Sequence, residues 1–323
     1  MNAAYAQVFQ PNRLSIGLVV PIESYAASAV PTMQRQIERI QLAERLGFSA
    51  VWLRDVPFNV PSFGDAGQLY DPFVYLGALA LSTSNIALGV ASIILPLRHP
   101  AHVAKAAASV DALSGGRLLL GVASGDRPEE YPAMGVDFDS RGERFRSGYE
   151  YLQEVLGDRP ELTNPNGCVG GGLDMLPKPS GHELPLLITG HSQQSPEWVA
   201  QHGHGWMMYP RSAVVQQRLI RDYRSGVAAG HEHDRPIHDR PVLEPLYIDL
   251  DPDSDRAPMP IHLGFRLGIN ALRNYLHSRQ AIGVNHVMLN LRFNQSNVED
   301  ALQTIAREVM PAFHQSVHQV PGI

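Results

Sequence analysis

The stretch IALGVASIILPLRHPAHVAKAAASVDALSGGRLLLGVASG, residues 86–125, contains a complete strand–helix–strand unit. It opens with an apolar run that breaks at Pro96. An Ala/Ser-rich segment then begins at Pro100, ends at Gly115-Gly116 and gives way to the second apolar run, RLLLGVA (117–123). Proline in a first helical turn and glycine just past the last one are the residues that helix ends favour. The small side chains between them let the helix lie close to a sheet. Inside the first strand, Gly89-Val90-Ala91-Ser92 is smaller and more polar than a buried strand core requires. Such a gap leaves room for something flat.

The same alternation extends in both directions. Strands are expected at 14–20, 49–55, 86–95, 117–123, 185–190, 205–209, 242–250 and 285–291. Between them lie helical patterns: PTMQRQIERIQLAERLGF from Pro31, with apolar residues three and four apart; DPFVYLGALALST, with Asp71 as N-cap; 140–156; PEWVAQHG; 212–229; 265–281; and 297–309. An unbroken series fits either a doubly wound sheet or a closed barrel, and eight pairs favour a (β/α)8 TIM barrel. A Pro- and Gly-rich insertion, 157–184, separates helix four from strand five, and no break in composition divides the chain, so 1–323 reads as one domain.

Composition removes several classes of function. With a net charge of −6 and no basic run, the chain lacks the counterion-release term that drives nucleic-acid binding. The single Cys168 excludes an internal disulfide and a thiolate metal cluster. No apolar run is long enough for a bilayer, and MNAAYAQVFQPNR does not resemble a secretion signal. A cytoplasmic location is expected.

Barrel enzymes bind at the C-terminal ends of their strands. None of those ends offers His, Asp and Glu at ligand spacing, so no metal is expected. The histidines of HEHDRPIHDR (231–240) and QHGHG (201–205) fall at the opposite face. No G-x-S-x-G elbow or Walker loop is present, and the glycines at 170–172 follow no strand. Strand five ends in TGHSQQSPEW, where Gly190, Ser192, Gln194 and Ser195 precede a helix with Pro196 in its first turn. Backbone N–H groups beside hydroxyl and amide side chains suit an anion. A plain Ser195 N-cap accounts for the segment equally well. Arg211, after strand six, is the nearest expected cation. Together these features describe a phosphate anchor beside a slot on strands three and four, the space for a flat phosphorylated cofactor.

The segments AERLGFSAVWLRD, residues 86–125 with their D-x-L-S-x-G-R element (Asp111 to Arg117), and LLITGHSQQSPEW occur in an order that resembles the bacterial-luciferase-like superfamily of flavin- and deazaflavin-dependent oxidoreductases, over residues 14 to 310. The resemblance implies FMN, or a 5-deazaflavin, at the barrel mouth, with a cis peptide at Ala91–Ser92 supporting the ring and Gly190 to Ser195, His191 included, around the phosphate. It also implies a homodimer, a small-molecule substrate and a separate flavin reductase as a partner. Two departures stand out. Val56-Pro57 follows Asp55 where luciferase has two histidines, and Ser124 stands where luciferase has a phosphate-holding arginine.

The activity so implied is a monooxygenase using reduced FMN and oxygen, with a deazaflavin-dependent dehydrogenase or a flavin-binding protein without turnover as the alternatives. A mouth formed by Val20, Phe58, Phe63, Met208 and Tyr209 points to a partly apolar substrate. Oxygen chemistry needs a group that manages a proton, most often histidine. The strand-end candidates are Asp55, His99 and His191, with His191 favoured and His99 also placed to cap the next helix.

Overall fold

Eight strands pair in parallel around a closed barrel: β1 (Ser15–Val19), β2 (Ala50–Leu53), β3 (Ala87–Ile94), β4 (Leu118–Ala123), β5 (Leu186–Thr189), β6 (Gly205–Met207), β7 (Val242–Leu250) and β8 (His286–Asn290). Strand β6 pairs with β7 and β8 returns to β1, so no barrel edge is left open. Helices α1 (Gln36–Leu46), α2 (Pro72–Ser82), α3 (Pro100–Ser114), α4 (Arg141–Leu156), α5 (Pro196–His202), α6 (Ala213–Ala229), α7 (Ile269–Ala281) and α8 (Val298–Glu308) follow the strands in turn. The computed structural model describes residues 1–181, 183–229 and 240–314, so His231, His233 and His238 of the polar loop lie outside the described residues.

Three local structures differ from the sequence expectation. Helix α1 starts at Gln36, not near Pro31, because Glu23 captures the segment between. Its carboxylate accepts from the Thr32 N–H (2.5 Å), the Thr32 hydroxyl (3.0 Å) and the Gln36 amide (3.0 Å). The 157–184 insertion carries an antiparallel hairpin, Leu162–Asn164 with Gly167–Val169, turning at Pro165-Asn166. A second hairpin, Met259–Ile261 with Gly264–Leu267, adds parallel pairing to β7. Phe265 therefore belongs to a strand, and α7 begins at Ile269.

The barrel interior is divided into two halves. Its N-terminal half is filled by the rings of Trp52 and His286, with the short helix Ala3–Val8 and Phe9 closing the end. Glycines make space for these rings. A Cβ on Gly89 would meet the Trp52 ring at 2.3 Å, and one on Gly17 would meet the His286 ring at 2.7 Å. Gly89 is thus small for packing, not to make room for a ligand. The Asp111–Arg117 element also belongs to this end. The Arg117 guanidinium donates to Ser114 O, Thr83 Oγ1, Ile86 O, Ala80 O and Thr83 O at 2.8–3.0 Å, tying the end of α3 to the α2–β3 loop. The C-terminal half of the barrel is open.

Candidate active site

The open half is a cavity of about 470 Å³ at the C-terminal mouth. Its floor is apolar, with Val19 from β1, Ala91 from β3, Met207 from β6 and Met288 from β8. Strand β3 changes register against β4 between Val90 and Ile93, and the Ala91–Ser92 peptide within that bulge is cis. The Ser92 and Thr189 hydroxyls are hydrogen-bonded to each other.

One side of the cavity is the loop after β5. Gly190, Ser192 and Gln193 all have positive φ (56°, 48° and 62°), a conformation that costs energy at the two non-glycine positions. Surrounding bonds hold it there. Ser192 Oγ donates to Thr189 O (2.9 Å), Gly190 N to Met207 O (2.8 Å), and Gln194 Nε2 to Gly142 O (2.8 Å) on α4. The N–H groups of His191, Ser192 and Gln193 make no backbone hydrogen bond among the described residues. Successive free N–H groups can hold an anion, and of these residues His191 lines the cavity. His191 lies on the cavity wall with its ring stacked on Trp206 (centroids 5.6 Å apart, planes at 17°), and Trp206 Nε1 donates to Gly190 O (2.7 Å). Arg211 also lines the cavity. Its backbone is held by Arg279, which donates to Arg211 O (3.0 Å) and pairs with buried Glu244, while its own guanidinium has no partner among the described residues. No Asp, Glu or Lys lines this cavity. Its donors and unpaired cation suit a ligand carrying a phosphate.

A family model for luciferase-like monooxygenases matches residues 14–259. The chain belongs to that family. Membership makes this luciferase-like chain a flavin-dependent oxidoreductase. Among solved structures it resembles monooxygenase RslO1 from Streptomyces bottropensis at 18% identity and a TM-score of 0.77, covering 93% of this chain and 99% of that one. An F420-dependent secondary alcohol dehydrogenase in complex with an F420-acetone adduct aligns at 16% identity and a TM-score of 0.75, covering 94% and 100%. The oxygenating constituent of 3,6-diketocamphane monooxygenase from the CAM plasmid of Pseudomonas putida, in complex with FMN, aligns at 14% identity and a TM-score of 0.74, again covering 94% and 100%. At these identities the likeness shows the fold. A search of curated protein sequences finds no match.

Of the residues expected at the luciferase-like mouth, Ala91, Gly190, His191, Met208, Tyr209 and Arg211 line the cavity. The others are placed elsewhere. Val20 packs outward against the helices and Val19 faces the ligand space, a one-residue change of face. Phe58 and Phe63 are exposed on the loop after β2, where Phe63 lies under the Arg127 guanidinium, 4.1 Å away. Ser124 is buried and its carbonyl accepts from the Tyr131 hydroxyl, so it offers no substitute for the luciferase arginine. Ser195 is the α5 N-cap, accepting from Trp198 N at 3.2 Å. Gln194 is committed to α4, with its oxygen accepting from Arg146 Nε at 2.9 Å. Ser92 and Ser192 shape the loops through their hydroxyls without lining the space.

Two proton-handling candidates are corrected. The Asp55 side chain is 1% exposed, accepts from Ile94 N (3.0 Å), and meets Arg98 through both oxygens at 2.9 and 2.7 Å. It pins β2 to the segment after β3. His99 caps α3 through Nδ1, and its Nε2 lies 3.1 Å from Asn166 O of the insertion hairpin, away from the cavity. Burial raises the pKa of Glu130, whose Oε2 has no partner among the described residues and whose Oε1 accepts from Phe58 N (3.4 Å). It braces the β2 and β4 loops and does not reach the cavity wall.

The sequence reading missed Arg54, Thr189, Trp206, Tyr247 and Asn290, all of which line the cavity. Arg54 and Thr189 stand at expected strand ends. The closing faces of β7 and β8 could be assigned only once the barrel's inward parity was known.

Proposed function

We propose that the chain is a monooxygenase that binds reduced FMN, with the phosphate over Gly190 to Ser195 and the ring against Ala91. The observation that carries this reading is the β5 loop: three N–H groups and the Arg211 guanidinium without a partner among the described residues, and two non-glycine residues in the left-handed region. Arg211 supplies the charge and the loop N–H groups the direction of the phosphate contact. Val19, Met207 and Met288 keep water from the floor. Bound reduced flavin supplies two electrons for oxygen chemistry. His191 is the residue that holds or releases the proton, because its ring nitrogens make no hydrogen bond among the described residues while Asp55 and His99 are committed elsewhere.

In this reading the enzyme works in the cytoplasm and takes reduced FMN from a separate reductase. It is a homodimer joined through α2, which has no charged residue from Pro72 to Ser82 and exposes Val74 (74%) and Leu81 (77%), with Leu113 (59%) exposed on the neighbouring α3. Absorbance and mass spectrometry of the cofactor retained on purification test the proposal, followed by oxygen uptake when that cofactor is reduced. Retained FMN with oxygen uptake supports it. A retained deazaflavin that does not consume oxygen makes the chain a deazaflavin-dependent dehydrogenase. Bound FMN that no candidate substrate turns over leaves a flavin-binding protein.

A further inference from the structure

Besides Arg211, the cavity carries a second group of polar lining residues at the ends of β2, β7 and β8: Arg54, Tyr247 and Asn290. On this wall Arg54 donates through Nη1 to Asp65 (2.9 Å) and through Nη2 to the Tyr25 hydroxyl (3.1 Å). Asp65 is also paired with Arg292 (3.1 Å), so two guanidinium groups share one carboxylate. These side chains are 18%, 10% and 7% exposed for Arg54, Arg292 and Asp65, and the Nε atoms of both arginines have no partner among the described residues. One positive charge is left over at the cavity edge, and a poorly solvated charge without a counter-ion is costly.

The neighbouring groups are donors too. Asn290 Oδ1 accepts from Arg292 N (2.9 Å), which leaves its amide NH2 without a partner among the described residues. The Tyr247 hydroxyl is hydrogen-bonded to Arg54, and because a guanidinium only donates, the hydroxyl's own hydrogen is left for another acceptor. Burial raises its pKa, so it remains an O–H donor at neutral pH. The cavity floor is apolar, with Val19, Ala91 and Met288.

We propose that Arg54, Tyr247 and Asn290 seat a carboxylate of the substrate, which makes the substrate a small, partly apolar carboxylic acid. This rests on the reading that the Arg211 end holds the cofactor phosphate, leaving this wall for a second ligand. The single excess charge matches a monoanion, and every unpaired group on the wall donates.

The test is titration of the FMN-saturated protein with benzoate and with benzyl alcohol, a neutral probe of similar shape, followed by the visible absorbance of the flavin and by calorimetry. Benzoate should bind saturably and benzyl alcohol at least ~10-fold more weakly. Arg54→Gln should weaken benzoate by ~10- to 150-fold, the range for a charge-assisted hydrogen bond, with FMN affinity kept within a few-fold. Arg292 still pairs with Asp65 in that variant. Tyr247→Phe, which removes one oxygen, guards against a folding defect and should weaken benzoate in the same direction. Equal binding of the two probes overturns the proposal, as do variants that bind benzoate like the parent. So does an Arg54→Gln loss as large for FMN as for benzoate, which would assign the wall to the cofactor. If FMN does not bind at all, the cofactor reading fails instead, and calorimetric benzoate titration of the purified protein still decides the wall.

Discussion

The two ends of the barrel use the same kinds of side chain for opposite purposes. At the N-terminal end, His286 is buried, Nε2 accepts from Trp52 Nε1 (2.8 Å), and Nδ1 lies 2.6 Å from Ser15 Oγ, which itself donates to Val8 O (2.7 Å). The Nδ1–H tautomer satisfies every group. At the C-terminal end, His191 stacks on Trp206, and its ring nitrogens make no hydrogen bond among the described residues. Arg117 at the closed end makes five hydrogen bonds, whereas Arg211 at the mouth makes none with its guanidinium among the described residues. Polar groups that satisfy one another hold the fold together. Polar groups left unpaired around a cavity are available to a ligand.

This contrast can be broken at either end. The largest effect is expected from Trp52→Ala, which removes a fully buried ring and should cost ~3–5 kcal/mol in urea unfolding. A smaller loss would mean the closed end is packed loosely. Next comes pH. Burial lowers the His286 pKa to about 3 from an ordinary value of 6.5. Below pH 6.5 the unfolded chain therefore takes up a proton that the folded chain refuses. This contribution is fully present above 6.5 and lost as pH falls toward 3, at about 1.4 kcal/mol per pH unit. Unfolding profiles of the parent and His286→Gln should diverge in slope across that window, and parallel profiles would place the acid sensitivity elsewhere.

At the open end the effects are on binding and turnover rather than stability. His191→Gln should lower oxygen-dependent turnover by ~100-fold or more while FMN affinity changes only a few-fold. Unchanged turnover would remove histidine from the chemistry. Arg211→Ala should weaken FMN by roughly 10- to 150-fold, as expected for losing a charge-assisted contact worth ~1.5–3 kcal/mol, and leave riboflavin nearly unaffected. Equal losses for both would take Arg211 off the phosphate. The smallest effect concerns neither end. Leu81→Arg on the outer face of α2 should leave unfolding and FMN binding unchanged and convert a dimer to a monomer in sedimentation velocity.

Sequence alone determined the order and kind of nearly every element, because apolar period and the Pro and Gly stops at helix ends are local properties of the chain. It also located the β5 loop, whose residue types suit either an anion or the plain Ser195 N-cap that the helix start shows. The tertiary structure decided the rest. Side chains alternate faces along a strand, so one residue of parity separates Val19 in the cavity from Val20 in the outer shell, and only barrel closure sets that parity. Partners distant in sequence decided which charges were free. Arg98 engages Asp55 across 43 residues and Asn166 reaches His99 across 67, taking both from the proton-handling candidates. Arg211 and Arg54 stand on the cavity because strands β6 and β2 end there, a placement that exists only once all eight strands have closed.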